Sequence, residues 1–160
     1  MDSTGQNLKI CVGASAGGHT NELFQLLNHT DSWPSQPALY ITTLDILKED
    51  LSKRGPTYVI GECNRHHPLW ATKTLFRCIK IAIKERPDVV ITTGSFPLAL
   101  FCLIAKLISG TKIVWIDSIA NSEHFTASGR LLHPFADLFL TQWPELAQND
   151  KKAKYVGRLL

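Results

Sequence analysis

The chain has 160 residues, 44% of them hydrophobic and 19% charged, with a formal net charge of +3. That length holds one domain with a sizeable core and is short for two, and the mild positive balance argues against a nucleic-acid partner. Cys11, Cys63, Cys78 and Cys102 show no CxxC spacing and read as reduced, structural thiols of a cytoplasmic protein. Residues 1–7 lack the basic and apolar regions of a signal peptide, and no uncharged apolar run reaches the roughly 18 residues of a membrane span. The expectation is a chain that neither crosses a membrane nor is exported.

The stretch Leu8 to Leu27, LKICVGASAGGHTNELFQLL, passes from a β-prone run through a small-residue turn into a helical pattern. It predicts the first strand, a phosphate-facing loop and the first helix of an open α/β sheet. Gly17 and Gly18 leave backbone N–H groups uncovered at the positive end of that helix, which suits an anionic ligand. Ala38 to Thr43 predicts a second strand, Leu44 to Lys53 a second helix and Thr57 to Ile60 a third strand. Gly61 to Pro68, GECNRHHP, reads as a polar loop, and Leu69 to Glu85 as an amphipathic helix with Lys73, Arg77, Lys80 and Lys84 on one face.

Val89 to Thr93 is a continuous β-branched run of the kind found in central parallel strands. Gly94-Ser95-Phe96-Pro97 then turns into Leu98 to Ile108, which is apolar almost all round and must be buried or touch lipid. Lys112 to Ile116 predicts a fifth strand ending in Asp117-Ser118. Residues 119–134 read as a loop with a short helix, Leu138 to Thr141 as a sixth strand, Trp143 to Ala147 as a turn of helix and Tyr155-Val156 as a short seventh strand. The alternation predicts one domain over residues 1–160, a Rossmann-like, mostly parallel sheet with helices on both faces. Ligands then bind at the carboxyl ends of the strands, where Ser15 to Thr20, Gly94 to Pro97, Asp117 to Asn121 and Gln142 to Glu145 converge.

Spacing narrows the chemistry. Gly13-x-x-x-Gly17-Gly18 is not the dinucleotide fingerprint, and His19-Thr20 stands where a kinase-type phosphate loop needs Lys-Ser or Lys-Thr. His19, at a helix start, is either a base or ligand-orienting donor, or a structural histidine. Asp117 and Ser118 at a strand end are placed to bind hydroxyls or take a proton, or else Asp117 caps the following turn. Glu123 and His124 are second-rank candidates in the same loop. Cys63 with His66 and His67 lacks a further pair of ligands, so a solvated loop is preferred and no metal is expected. The basic stripe with Trp70 and Phe76 fits either a solvated helix face or an anionic membrane surface.

GASAGGHTNELFQLL, the TTGSF turn and above all IVWIDSIANSEHFTASGRLLHPFADLFLTQWPELA followed by YVGRLL resemble the acceptor-binding subunit of two-subunit UDP-sugar glycosyltransferases. Eukaryotic members belong to the transferase acting on dolichyl-diphosphate N-acetylglucosamine; bacterial members serve capsule and exopolysaccharide assembly. The family corresponds to the N-terminal half of a GT-B glycosyltransferase such as the peptidoglycan N-acetylglucosaminyl transferase, in which two Rossmann-like lobes face across a cleft. The resemblance implies a hexosyltransferase subunit that binds a polyprenyl-diphosphate-linked saccharide at the cytoplasmic face of the inner (plasma) membrane. It also implies a heteromer, active only with a donor-binding partner chain that supplies most of the UDP-sugar site, and no cofactor.

Under that resemblance His19 or Asp117 is the base, and Gly17, Gly18, Thr20, Gly94, Ser95, Phe96, Ser118 and Asn121 bind acceptor. Trp70, Lys73, Arg77 and Lys80 meet the membrane, while Gln142, Trp143, Arg158, Leu159 and Leu160 meet the partner. Eukaryotic members commonly begin with a membrane-spanning helix and tend to carry Glu-Ser and then Arg where this chain has Asp117-Ser118 and Asn121. Those departures point to a bacterial-type member. The alternatives from other classes are a non-catalytic membrane-recruitment module and a stand-alone nucleotide-dependent α/β enzyme.

Overall fold

The computed structural model describes residues 7–63 and 68–159, with Pro68, Leu69 and Trp70 given by backbone alone. His66, His67 and Leu160 therefore lie outside the described residues, as does the Trp70 side chain.

The elements follow one another as β1 (Ile10–Ala14), α1 (Gly18–Leu27), β2 (Pro37–Thr42), α2 (Lys48–Ser52), β3 (Thr57–Val59), α3 (Pro68–Glu85), β4 (Val89–Thr92) and α4 (Phe96–Ser109). They continue with β5 (Lys112–Ile116), α5 (Ala127–Leu132), β6 (Leu138–Thr141), α6 (Pro144–Gln148) and β7 (Ala153–Tyr155). All paired strands are parallel, in the order β3-β2-β1-β4-β5-β6-β7. The order grows one way from β1 and the other way from β4, so the chain reverses direction across the sheet between those two strands. In an open α/β sheet that reversal leaves a crevice beyond the strand ends.

Two apolar layers sandwich the sheet. Val12, Ala14, Leu23, Leu27, Tyr40, Leu47 and Leu51 form the layer under α1 and α2. Cys11, Ile41, Cys78, Val90, Leu98, Phe101, Ile113, Trp115, Leu132 and Phe139 belong to the layer under α3, α4 and α5. β4 feeds both layers, Val90 into the second and Val89 and Ile91 against the first, as expected of a strand covered on both faces.

Three expectations shift for local reasons. β1 begins at Ile10 rather than Leu8, because the Leu8 N–H is taken by Ser35 Oγ (3.1 Å) and the Lys9 N–H by Asp88 Oδ2 (2.8 Å). It then runs on through Gly13, where a Cβ would stand 2.8 Å from Leu98 Cδ2, so any side chain here would have to displace Leu98 of α4. The second helix is shorter than its pattern, since residues 45–47 form a 3-10 turn before α2 starts at Lys48. α4, apolar almost all round, is buried along most of its length, with Leu107 (86%) and Ile108 left exposed at its C-terminal end. Leu98, Ala99, Phe101, Cys102, Ile104 and Ala105 are inside, and Lys106 pairs with Asp137 at 2.7 Å.

Cys11, Cys78 and Cys102 are buried, Cys63 is half-buried, and all four are free thiols. Burial pushes the Cys78 thiol up to about 12, as expected of an inert core cysteine.

Candidate functional site

Two loops meet at the reversal. After β1, Gly17 takes φ +97, a value that favours glycine, and starts α1 with no side-chain cap and no acidic residue in its first turn. A Cβ on Gly17 or Gly18 would touch nothing within 4 Å, so the space in front of these amides is open. The first turn of α1 thus carries no side-chain cover at its two glycines, with the positive end of the helix dipole behind them. Thr20 Oγ1 donates to Ser15 O (3.0 Å) and fixes the turn.

After β4, Gly94 and Ser95 both have positive φ, +117 and +109. Ser95 is not glycine, and a serine held in this region stores conformational strain that is often found at ligand-binding turns. Its Oγ is buried without a partner, and Phe96 beyond it is half exposed. Pro97 in the first turn of α4 removes an N–H that the helix would leave unpaired anyway.

His19 joins the two loops. Thr93 Oγ1 donates to the His19 carbonyl (3.0 Å), and the imidazole lies over Gly94, where a Cβ would stand 3.1 Å from Cε1. Its Nδ1 faces Glu22 Oε2 at 3.7 Å, an ion-pair separation just beyond hydrogen-bond reach. The Glu22 carboxylate raises the His19 pKa above the ordinary histidine value; burial opposes this, and Thr93 and the charge of Asp117 add to it.

Glu22 was not legible as a site residue, yet it is only 1% exposed. Its Oε1 accepts from the Ile119 N–H (3.2 Å) and from Gln142 Nε2 (3.1 Å), which ties α1 to the loops after β5 and β6. The one signal for it was its i+3 spacing from His19, which sets both side chains on the same helix face.

Asp117 occupies the expected strand end, but its carboxylate is committed to its own loop. Oδ1 accepts from Trp115 Nε1 (3.0 Å) and Thr126 Oγ1 (2.6 Å), and Oδ2 accepts from the Thr126 N–H (2.9 Å). Thr126 in turn caps α5 by accepting from the Gly129 N–H (2.9 Å). A Cβ on Gly129 would stand 2.4 Å from Asp117 Oδ1, so the carboxylate sits in space that only a glycine leaves. Of the two readings of Asp117, this geometry matches the organiser of the following turn. Ser118 Oγ accepts from the Ala120 N–H (3.2 Å), Asn121 is half-buried nearby in the chain, and Glu123 and His124 are exposed.

Gln142 is 2% exposed, so its side chain faces inward rather than toward a partner. Its Nε2 donates to Glu22 and to Asp117 O (3.1 Å), and its Oε1 accepts from the Leu159 N–H (2.9 Å). The C-terminal segment packs back on its own domain at this point. Arg158 Nε donates to Gln142 O (3.3 Å), and the guanidinium lies 4.4 Å from the centre of the Trp143 ring, whose Nε1 donates to Ile119 O (2.9 Å).

Lys73, Arg77 and Lys80 are all exposed on α3, beside exposed Phe76 and Ile83. Arg77 and Lys80 line a groove of about 450 Å³ with Lys48, Lys84 and Asp45. Lys73 and Arg77 line a second, of about 280 Å³, with Thr43, Leu44 and Gly61. Thr43 and Gly61 lie just past the carboxyl ends of β2 and β3, so this groove opens at the same end of the sheet as the glycine loops. Among the described residues no cluster of three His, Cys, Asp or Glu side chains is arranged to hold a metal ion, and no helix is long and apolar enough to cross a membrane.

A seven-stranded parallel sheet with two open loops at its reversal defines a Rossmann-like α/β protein built as one lobe of the two-lobed GT-B fold. The backbone superposes on MurG of Acinetobacter baumannii (TM-score 0.63, 17% identity, 85% of this chain and 42% of that one). It also superposes on UDP-GlcNAc 2-epimerase of Methanocaldococcus jannaschii in complex with UDP-GlcNAc and UDP (TM-score 0.71, 18% identity, 94% and 47%). The chain spans a little under half the length of these solved chains. Residues 60–159 match the family described as oligosaccharide biosynthesis protein Alg14 like, and the chain belongs to that family.

Similar proteins include UDP-N-acetylglucosamine transferase subunit alg14 of Schizosaccharomyces pombe, 28% identical over 92% of this chain and 81% of that one. The human protein named UDP-N-acetylglucosamine transferase subunit ALG14 is 28% identical over 97% of this chain and 84% of its own.

Proposed function

We propose that this chain is the acceptor-binding subunit of a heteromeric UDP-sugar glycosyltransferase, acting on a polyprenyl-diphosphate-linked saccharide at the cytoplasmic face of a membrane. The observation that carries the proposal is the seat of His19 over Gly94, which brings the glycine turn at the start of α1 against the turn that opens α4. An acceptor diphosphate would be held by the amides of Gly17 and Gly18, where the helix dipole favours negative charge. That grip orients the saccharide, and orientation is itself a large part of a transfer rate.

The acceptor hydroxyl attacks the anomeric carbon of the UDP-sugar as its proton passes to Nε2 of His19, and the carbon–oxygen bond to UDP breaks with UDP as leaving group. His19 is preferred to Asp117 as base, since Asp117 already accepts three hydrogen bonds, one from Trp115 on β5 and two from Thr126. Ser95, Phe96, Ser118 and Asn121 border the place of the saccharide. The names carried by the relatives point to UDP-N-acetylglucosamine as donor.

The exposed Lys73, Arg77 and Lys80 with Phe76 suit an anionic leaflet, and their groove opens at the end of the sheet where the lipid diphosphate would be held. The donor half would come from a partner chain docking against Trp143, Arg158 and Leu159, with Gln142 supporting Arg158 and Leu159 from below. Co-expression with a donor-binding partner, followed by transfer assays on lipid-linked acceptors with a panel of UDP-sugars, tests this reading. Transfer by the pair and none by either chain alone is expected. Full transfer by this chain alone overturns it.

A further inference from the structure

We infer that Glu22 is the positioning residue for His19: its buried carboxylate, pinned at Oε1 by the Ile119 N–H and the Gln142 amide, presents Oε2 to Nδ1 and keeps Nε2 as the proton acceptor. The inference rests on the reading of His19 as base.

The geometry is that of a carboxylate held for a purpose. A carboxylate that is 1% exposed carries a desolvation penalty unless both oxygens find partners. Here Oε1 has two donors at 3.2 and 3.1 Å. Oε2 has none within hydrogen-bond distance, and the same is true of the buried Nδ1 that faces it 3.7 Å away. Each is the natural partner of the other. A small rotation of the imidazole that brings Nδ1 nearer to Oε2 by about 0.5–1 Å closes the gap, with Nδ1–H donating to Oε2.

That contact selects one tautomer. With the proton on Nδ1, Nε2 carries the free lone pair, and the imidazolium formed after proton transfer is stabilised by the adjacent negative charge. A carboxylate paired with one ring nitrogen acts in this way in the Ser-His-Asp triads, where histidine serves as base. The charged groups whose fields reach His19 are the Glu22 carboxylate on its own helix and the Asp117 carboxylate at the end of β5; the elements otherwise packed against it offer Thr93 and Gly94. Asp117 is saturated by Trp115 and Thr126 and Thr93 offers a neutral backbone group, which leaves Glu22 as the charged group facing Nδ1 that can hold the ring and stabilise its imidazolium.

Gln142 makes the pin part of a longer connection. The amide that donates to Glu22 also accepts from the Leu159 N–H at 2.9 Å, so the C-terminal segment and the His19 pair share one side chain.

The test uses the full chain and its reconstituted complex. In the wild-type chain, ¹⁵N chemical shifts of neutral His19 should report the Nδ1–H tautomer; the Nε2–H tautomer overturns the inference without any substitution being made. Glu22→Gln keeps the side-chain volume and an oxygen for Ile119 and Gln142 but turns an N–H toward Nδ1. It should lower the His19 pKa measured by NMR titration and reverse the tautomer. In the complex, kcat should fall about tenfold to a hundredfold, with the KM for acceptor unchanged and the acidic limb of the pH–rate profile moved to lower pH. An unchanged His19 titration in E22Q overturns the inference. A shifted titration beside an unmoved rate profile supports the pairing and overturns the reading of His19 as base.

Discussion

The imidazole of His19 lies across Gly94 so closely that a Cβ on the glycine would stand 3.1 Å from Cε1 and 3.4 Å from Nδ1. The contact links the first turn of α1 to the turn after β4, and Gly94 is held at φ +117 besides.

Gly94→Ala should therefore hurt twice. The positive φ strains any L-side chain by about 1–3 kcal/mol, and the new methyl pushes the imidazole off its seat. The expected outcome is a modestly lowered melting temperature together with at least about a tenfold loss of transfer in the reconstituted complex. A variant with lowered stability and wild-type turnover would show that the seat of His19 is immaterial.

Asp117→Asn replaces one of the two accepting oxygens with an NH2 group, so either the Thr126 N–H at one oxygen or Trp115 Nε1 and Thr126 Oγ1 at the other must face a donor. Leaving such buried groups mispaired costs about 1–3 kcal/mol. The measurement is a denaturant melt combined with a pH–rate profile. The account expects lost stability, reduced turnover and an acidic limb that persists but moves slightly to lower pH, because the Asp117 charge helps raise the His19 pKa; a limb that disappears would return the role of base to Asp117.

The His19 pair also sets a pH dependence of stability. Its pKa is raised above 6.5 in the folded state, chiefly by Glu22. The stabilisation is fully present below pH 6.5 and is lost as pH rises through the folded value. Melting temperatures followed upward from pH 6 should fall through this window in the wild type, and His19→Gln should flatten that step. Parallel curves for the two proteins would contradict the pairing.

Reversing Lys73, Arg77 and Lys80 to glutamate should abolish co-sedimentation with anionic vesicles, since each basic side chain near such a surface contributes about 1 kcal/mol. Binding of the wild type to neutral vesicles should be weak, carried by exposed apolar side chains such as Phe76 and Ile83. Equal recovery of the wild type with neutral and anionic vesicles removes the electrostatic part of the membrane reading.

Much of the fold was readable from local pattern. Val89 to Thr92 and Lys112 to Ile116 are β-branched and apolar runs ending in turn residues, and the strands appear where those runs are. The reversal of strand order between β1 and β4 was not readable, because it depends on which neighbour each strand chooses rather than on any local run. Gly17, Gly18 and His19 announced themselves by their spacing.

The partners of these residues did not. Glu22 sits in the polar stretch Thr20-Asn21-Glu22 and looks solvent-facing; its burial comes from Ile119 and Gln142, which lie 97 and 120 residues away. The commitment of Asp117 depends on Thr126 and on the absence of a side chain at Gly129, relationships that exist only once α5 has packed.

The central claim is that this chain holds the lipid-diphosphate acceptor and leaves the nucleotide sugar to a partner. The most direct measurement is calorimetric titration of the lone chain with a short-chain polyprenyl-diphosphate-linked saccharide and, separately, with UDP-N-acetylglucosamine. The account predicts saturable binding of the acceptor, weakened in Gly94→Ala, and no measurable binding of the UDP-sugar. Saturable binding of UDP-N-acetylglucosamine to the lone chain with no response to the acceptor would contradict it.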